Sequence, residues 1–159
     1  MSMKKSFKFL FVCTGDTCRS PMASALFKAK VKKLGFKGLT SSSAGLFVSA
    51  EKDMSEGSRN ALKFLGVRTS KHTATQLTKD MVEKANIILA MTKDHKEALV
   101  SKFNCADKTF ALSEFGDEST PEVHDPYGKS KGEYIKCAKL IDYLIEQMLI
   151  KLSHEEIIK

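Results

Sequence analysis

Tryptophan is missing from all 159 residues, and aromatics make up only 8% of the chain. Proteins that grip single-stranded nucleic acid stack bases on aromatic rings interleaved with arginine, and the chain has no such tract. Three prolines and nine glycines are too few for a fibrous chain, and 28% charged against 42% hydrophobic residues is not the balance of a disordered one. Long apolar runs are lacking as well. Phe9 to Cys13 and Ile87 to Met91, among the longest, fall far short of the roughly 20 residues that a membrane-crossing helix needs. Met1-Ser2-Met3-Lys4-Lys5 is basic, like the start of a secretory signal, but the apolar stretch behind it runs into Thr14-Gly15-Asp16 with no small-residue cleavage site. The expectation is a cytoplasmic protein, residues 1–159 forming one domain, without membrane or nucleic-acid partners.

Four cysteines, Cys13, Cys18, Cys105 and Cys137, are too few and too uneven for a secreted disulfide scaffold. No C-x2-C pair occurs, and His72, His95, His124 and His154 form no zinc-type pair, so no metal is expected. A cysteine used for its reactivity is the better reading. Lysine and arginine outnumber acidic residues by 26 to 19, a net charge of +7. That field favours anionic ligands, although the basic residues are spread along the chain, with Lys30, Lys32 and Lys33 the densest group.

Strand and helix patterns alternate. Phe7 to Val12 is a short, aromatic-rich apolar run that reads as a buried parallel strand. Ser20-Pro21 signals a helix start, and Met22, Ala25, Leu26, Ala29 and Leu34 continue it at helical spacing. A second strand is expected at Leu39 to Ala44, then a helix from Ser55 to Leu65 closed by Gly66. Asn86 to Met91 reads as a third strand, Lys93 to Phe103 as a helix, Lys108 to Leu112 as a fourth strand and Ser113 to Lys131 as a long polar loop. Tyr134 to Leu152 has the apolar stripe of a terminal amphipathic helix. This βαβαβαβα order predicts an α/β fold of three layers, a parallel sheet with helices on both faces. Ligands of such sheets bind beyond the carboxyl ends of the strands, and Cys13 to Ser20 lies at that address.

The segment Cys13-Thr14-Gly15-Asp16-Thr17-Cys18-Arg19-Ser20 puts a thiol and a guanidinium at the two ends of a loop that feeds a helix. Its backbone N–H groups can converge on one anion, helped by the positive end of the helix dipole. Gly15 is expected to supply a positive-φ turn. The amides and Arg19 favour thiolate at Cys13 and would lower its pKa. Arg19 offers a planar fork matched to two phosphoryl oxygens, and Ser20 can hydrogen-bond the sulfur. In the polar loop, Asp125 can give a leaving group its proton and later take one from water, while Pro126 keeps it out of helix. Adjacent His124 reads as an exposed loop residue.

Val12 to Pro21 resembles the V-C-x-G-N-x-C-R-S-P loop of the low-molecular-weight protein tyrosine phosphatase family at every position except Asp16, where the family has Asn. Ser43-Ala44-Gly45 is similar to its S-A-G segment, Asp125-Pro126-Tyr127 to its acid loop, and Ile88 to Met91 to its central strand. The resemblance implies a four-stranded parallel sheet with a phosphate-binding loop after the first strand. It implies Cys13 as nucleophile, Arg19 as phosphate clamp and Asp125 as general acid, with Thr14, Gly15, Asp16, Thr17, Cys18 and Ser20 around the phosphate. Phosphorylated proteins would be the substrates and inorganic phosphate a product, with no cofactor, since Arg19 and the loop amides provide the positive field. The family's Asn belongs to a polar network that maps onto Ser20, Ser43 and His72. A carboxylate in its place opposes thiolate and phosphate by charge, unless a protonated His72 compensates.

Thr17 stands where tyrosine-specific members carry a bulkier aliphatic residue, and C-T-G-x-T-C-R-S resembles the bacterial protein-arginine phosphatase branch. A small hydroxyl side chain suits a guanidinium better than a phenyl ring, although Phe47 and Tyr127 could still sandwich a phenol. Two other readings stay open. Arsenate reductases of this fold share the loop, but they relay oxidation to two further cysteines after the third strand. Here Met91 and Thr92 occupy that strand's end, Cys105 lies farther on, and Pro21 replaces their usual Gln. A non-catalytic phosphate-binding module would need the thiol to be idle.

Overall fold

The computed structural model describes residues 6–158, so Met1–Lys5, with their signal-like charge, lie outside it. Strand β1 (Phe7–Cys13) and helix α1 (Arg19–Leu34) open the chain, followed by β2 (Leu39–Gly45), α2 (Glu56–Phe64), α3 (Lys79–Lys84) and β3 (Ile87–Ala90). Then come α4 (Lys93–Phe103), a 3-10 turn at Ala106–Lys108, β4 (Thr109–Ala111), α5 (Leu112–Gly116) and α6 (Lys131–His154). The four strands form one sheet in the order β2-β1-β3-β4, and every pairing is parallel. The expected fold is therefore the observed one, with β1 inside the sheet.

Alternation along β1 sorts side chains between two cores, because successive residues of a strand face opposite sides. Phe9, Phe11 and Cys13 pack with α1, α2 and α6, where Phe27 stacks at 4.4 Å from Phe9 and 5.7 Å from Phe11 between ring centroids. Leu10 and Val12 face the other way, with Val82 of α3 and Leu99 of α4. Each such buried apolar side chain contributes about 1.5–3 kcal/mol, so both faces of β1 are fixed tightly. Its carboxyl end is held in place with them. Helix α6 buries Tyr134, Ala138, Ile141, Ile145, Met148 and Leu152 along one stripe, as its periodicity predicts.

Three local features differ from expectation. The segment Ser113 to Lys131 is not loop throughout: α5 occupies its start, capped by the Glu114 carboxylate, which accepts from the Ala111 amide at 2.9 Å, and Lys131 already begins α6. Helix α3, just before β3, has no counterpart in the sequence reading. It is a six-residue element capped by Thr78, whose hydroxyl accepts from the Met81 amide. Helix α1 also begins one residue before the expected Ser20, at Arg19, which leaves Pro21 in the first turn where its missing N–H is tolerated.

Candidate active site

β1 ends at Cys13, and the chain curls through residues 14–18 into α1. Asp16 carries the curl's left-handed backbone at φ 56°, a region that Asp enters more readily than most residues. Gly15, expected to play that part, has no positive φ, and a Cβ there would find only ordinary contacts. Gly45 at the end of β2 is the glycine the loop needs. A Cβ on it would lie 2.8 Å from the Thr14 carbonyl oxygen, 2.9 Å from the Gly15 carbonyl carbon and 3.0 Å from the Asp16 nitrogen, all of them backbone. Next to it, the Leu46 and Phe47 amides donate to the Cys13 and Thr14 carbonyls at 3.0 and 2.8 Å, stitching the loop to the segment after β2.

The Cys13 sulfur is buried 2.9 Å from the Ser20 hydroxyl, and the amides of Ser20 and Asp16 also point at it. Burial pushes the Cys13 thiol above its ordinary value; Ser20, Arg19 and the Asp16 amide draw it back without reversing the direction. This overturns the lowered thiol pKa expected from the loop pattern. The sequence displays the donors but not the depth at which the sulfur lies.

Arg19 is 5% exposed. Its NH1 donates to the Val123 carbonyl at 3.1 Å and its NH2 lies 3.8 Å from Asp125 Oδ2, while its buried Nε has no partner among the described residues. An unpaired buried guanidinium N–H is costly unless an acceptor meets it, and a bound oxyanion would be one. Asp125 itself is half-exposed, and its Oδ1 accepts from the Tyr127 amide at 3.1 Å in a tight turn. Pro126, buried, pegs that turn in place.

A cavity of about 260 Å³ brings together Cys13, Thr14, Gly15, Thr17, Cys18, Arg19 and Asp125, with Phe47 and Tyr127 at its rim. Phe47 and Tyr127 are 77% and 73% exposed. Asp16 and Ser20 do not border the cavity but stand behind the loop, where Ser20 Oγ donates to Asp16 Oδ1 at 2.7 Å. The Thr75 amide donates to Asp16 Oδ2 at 3.0 Å, the Ser43 hydroxyl faces the same carboxylate, and His72 Nε2–H donates to the Asp16 carbonyl at 2.7 Å. Burial raises the Asp16 pKa, and these hydrogen bonds and His72 oppose it. Ser20, Ser43, His72 and Thr75 thus surround Asp16 in the structure.

Three residues at the site carry no signal in the sequence. His95, 8% exposed near the start of α4, puts Nε2 2.8 Å from the Thr14 hydroxyl. Burial, with the nearby Arg19 charge, lowers its pKa to about 4. Ser49 borders the cavity. Tyr134 of α6 places its hydroxyl 3.8 Å from the Cys18 sulfur, which also donates to Ser55 Oγ at 3.3 Å. His95 and Tyr134 meet the loop across the tertiary fold, and no spacing along the chain relates them to it.

A parallel α/β sheet whose first strand feeds a buried thiol into an amide-lined loop closed by arginine defines a protein built to hold an oxyanion against sulfur. Comparison with known proteins narrows that class. The family model for low molecular weight phosphotyrosine protein phosphatase matches residues 8–157. The protein-arginine-phosphatase of Geobacillus stearothermophilus is 35% identical over 94% of this chain and 99% of its own. The low molecular weight protein-tyrosine-phosphatase PtpB of Staphylococcus aureus is 36% identical over 80% of this chain and 86% of its own. Among solved structures, a cysteine-to-serine mutant of the YwlE arginine phosphatase with a phosphorylated active-site serine aligns at a TM-score of 0.86 and 34% identity, covering 92% of this chain and 96% of that one. This chain belongs to the low molecular weight phosphotyrosine protein phosphatase family.

Proposed function

We propose that the protein is a cysteine-dependent protein phosphatase that removes phosphate from arginine side chains of phosphorylated proteins. The observation that carries this reading is one cavity faced by the Cys13 sulfur, the Arg19 guanidinium and the Asp125 carboxyl group. In the first step the Cys13 thiolate attacks phosphorus in line, the S–P bond forms, the P–N bond breaks, and the Asp125 carboxylic acid protonates the departing guanidine nitrogen. Arg19 and the loop amides meet the equatorial oxygens, where charge is spread in the transition state. In the second step Asp125 takes a proton from water, the water oxygen bonds to phosphorus, and the S–P bond breaks to return thiolate and inorganic phosphate. Ser20 supports the sulfur as it leaves.

Thr17 favours arginine as the leaving group. It borders the cavity with a small hydroxyl side chain, which accommodates a polar, planar guanidinium better than an aryl face. Once it has given up its proton, the Asp125 carboxylate can also pair with the departing guanidinium. A second reading, phosphotyrosine, draws on Phe47 and Tyr127, whose exposed rings flank the cavity and could hold a phenyl group between them. The four cysteines are unpaired, a state that a reducing compartment maintains, and this supports a cytoplasmic protein; the family match over residues 8–157 supports one domain over residues 1–159.

Side-by-side hydrolysis of phosphoarginine and phosphotyrosine peptides tests the assignment, with Cys13→Ser as control. The expected result is faster release from phosphoarginine and no turnover in the control, which should still bind vanadate through the loop amides and Arg19. Turnover in Cys13→Ser would end the cysteine mechanism, and preference for phosphotyrosine would end the arginine assignment alone.

A further inference from the structure

Behind the loop, three side chains form a continuous chain of hydrogen bonds. Cys13 Sγ is 2.9 Å from Ser20 Oγ, and Ser20 Oγ is 2.7 Å from Asp16 Oδ1. A serine hydroxyl has a single proton to give but can accept as well. When it gives that proton to Asp16, it accepts from the Cys13 thiol, so the order is S–H to O–H to carboxylate. Asp16 and Ser20 are both fully buried, so water does not interrupt the chain.

We propose that Asp16, acting through Ser20, is the proton acceptor that converts Cys13 to thiolate. The step is a two-proton shift. The Sγ–H bond breaks as that proton bonds to Ser20 Oγ, while the Ser20 O–H bond breaks as its proton bonds to Asp16 Oδ1. The products are a thiolate that accepts from Ser20 and a neutral Asp16 carboxylic acid that donates to Ser20. The total charge stays at one negative unit throughout.

This removes the conflict expected of a carboxylate beside a thiolate, because the two groups share one proton rather than repel as two anions. Neutral Asp16 then does what an amide would do at that place, giving a hydrogen to the serine that supports the sulfur. The surroundings suit both ends of the shift. From β1, Cys13 is the only titratable side chain in the chain of bonds, and from α1 the Arg19 cation favours negative charge on sulfur. From β2, the Ser43 hydroxyl faces the Asp16 carboxylate; from the segment before α3, the Thr75 amide donates to Oδ2 and His72 Nε2 stands 3.6 Å from it. Burial raises the pKa of Asp16, which strengthens it as a proton acceptor, and raises that of Cys13 as well, where Ser20 and Arg19 draw it back.

The inference rests on Cys13 as the nucleophile, and its test reads protons on the resting enzyme rather than turnover, so it can fail while the phosphatase reading stands. Infrared spectra at neutral pH should contain the carbonyl stretch of a buried carboxylic acid that disappears in Asp16→Asn, which assigns it. The same band should also disappear in Cys13→Ser, whose hydroxyl is too weak an acid to supply the proton. Iodoacetamide alkylation of Cys13 against pH should rise in two steps in the wild type, one as the pair falls to a single shared proton and one as it loses the last. A single step is expected in Asp16→Asn, and also in Ser20→Ala, which keeps the carboxylate but cuts the relay. Absence of the band from the wild type, its persistence in Cys13→Ser, or a single alkylation step in all three proteins would overturn the relay.

Discussion

Arg19 and Val123 are joined by a 3.1 Å hydrogen bond from the guanidinium NH1 to a backbone carbonyl, which ties the phosphate-side loop to the segment that carries Asp125. The same guanidinium reaches Asp125 Oδ2 at 3.8 Å through NH2. The two halves of the proposed chemistry, nucleophile and acid, are thus set against each other by one side chain.

Asp125→Ala should slow hydrolysis about one hundred to ten thousand fold for leaving groups that need a proton, the range spanned by general acid catalysis. Substrates whose leaving group departs unprotonated should lose far less. Steady-state rates over a series of aryl phosphates of graded acidity check this; equal losses across the series would take Asp125 out of the acid role.

Gly45→Ala should disturb the loop without touching any of its side chains. The new methyl group would press on the backbone of Thr14, Gly15 and Asp16, and overpacking of this kind destabilises by about 1–3 kcal/mol. A lower melting temperature together with weaker vanadate binding is expected. Unaltered vanadate affinity would mean that the loop yields freely and β2 does not set its shape.

If Thr17 selects the leaving group, Thr17→Ile should raise phosphotyrosine activity relative to phosphoarginine activity by about ten-fold or more, the discrimination that an added apolar contact supplies. Competition between the two peptides in one reaction gives the ratio directly. No change would move selection to Phe47 and Tyr127.

Cys18 follows Cys13 in the curl, and its sulfur is buried against Ser55 and Tyr134. Mild peroxide should inactivate the enzyme reversibly, because the Cys18 thiol can trap a sulfenic acid on Cys13 as a disulfide. In Cys18→Ser the same treatment should become irreversible. Peptide mass spectrometry that finds no Cys13–Cys18 link would contradict this.

His95 is held neutral in the fold, with its pKa lowered to about 4 by burial and by Arg19. An unfolded histidine titrates near 6.5. The stabilising contribution is therefore full above that value and is lost as pH falls toward 4. The loss comes to about 3 kcal/mol at most by linkage. Melting temperatures between pH ~7 and ~4 should fall more steeply for the wild type than for His95→Gln; parallel curves would show that His95 is protonated without penalty.

The sheet is legible in the sequence because its strands are short apolar runs ending at polar turns, and the helix expected from Lys93 to Phe103 is α4. Helices α3 and α5 escaped because six and five residues complete too few turns to produce a periodic signal. At the site, the curl from Cys13 to Ser20 is legible because its members are neighbours in the chain. Properties decided by depth or by distant contact are not legible there. The upward push on the Cys13 thiol follows from burial under α1 and α6, and the contact from His95 to Thr14 spans the gap between α4 and the loop. Conformational freedom alone points to Gly15 for the left-handed turn, whereas the hydrogen bonds to the Asp16 carboxylate and carbonyl fix it at Asp16.

The inner position of β1 in the sheet has a further consequence for how the site opens. Strand β1 is paired along both edges and packed on both faces, so its amide hydrogens can exchange with solvent only when the whole domain unfolds. Residues 117–130, which carry Asp125, contain no strand and no helix, and opening them locally takes much less free energy. Cys13 and Asp125 therefore belong to segments of different local stability. Denaturant-dependent exchange would therefore separate the two, with the amides of β1 opening only at the global free energy and those of residues 117–130 opening well below it.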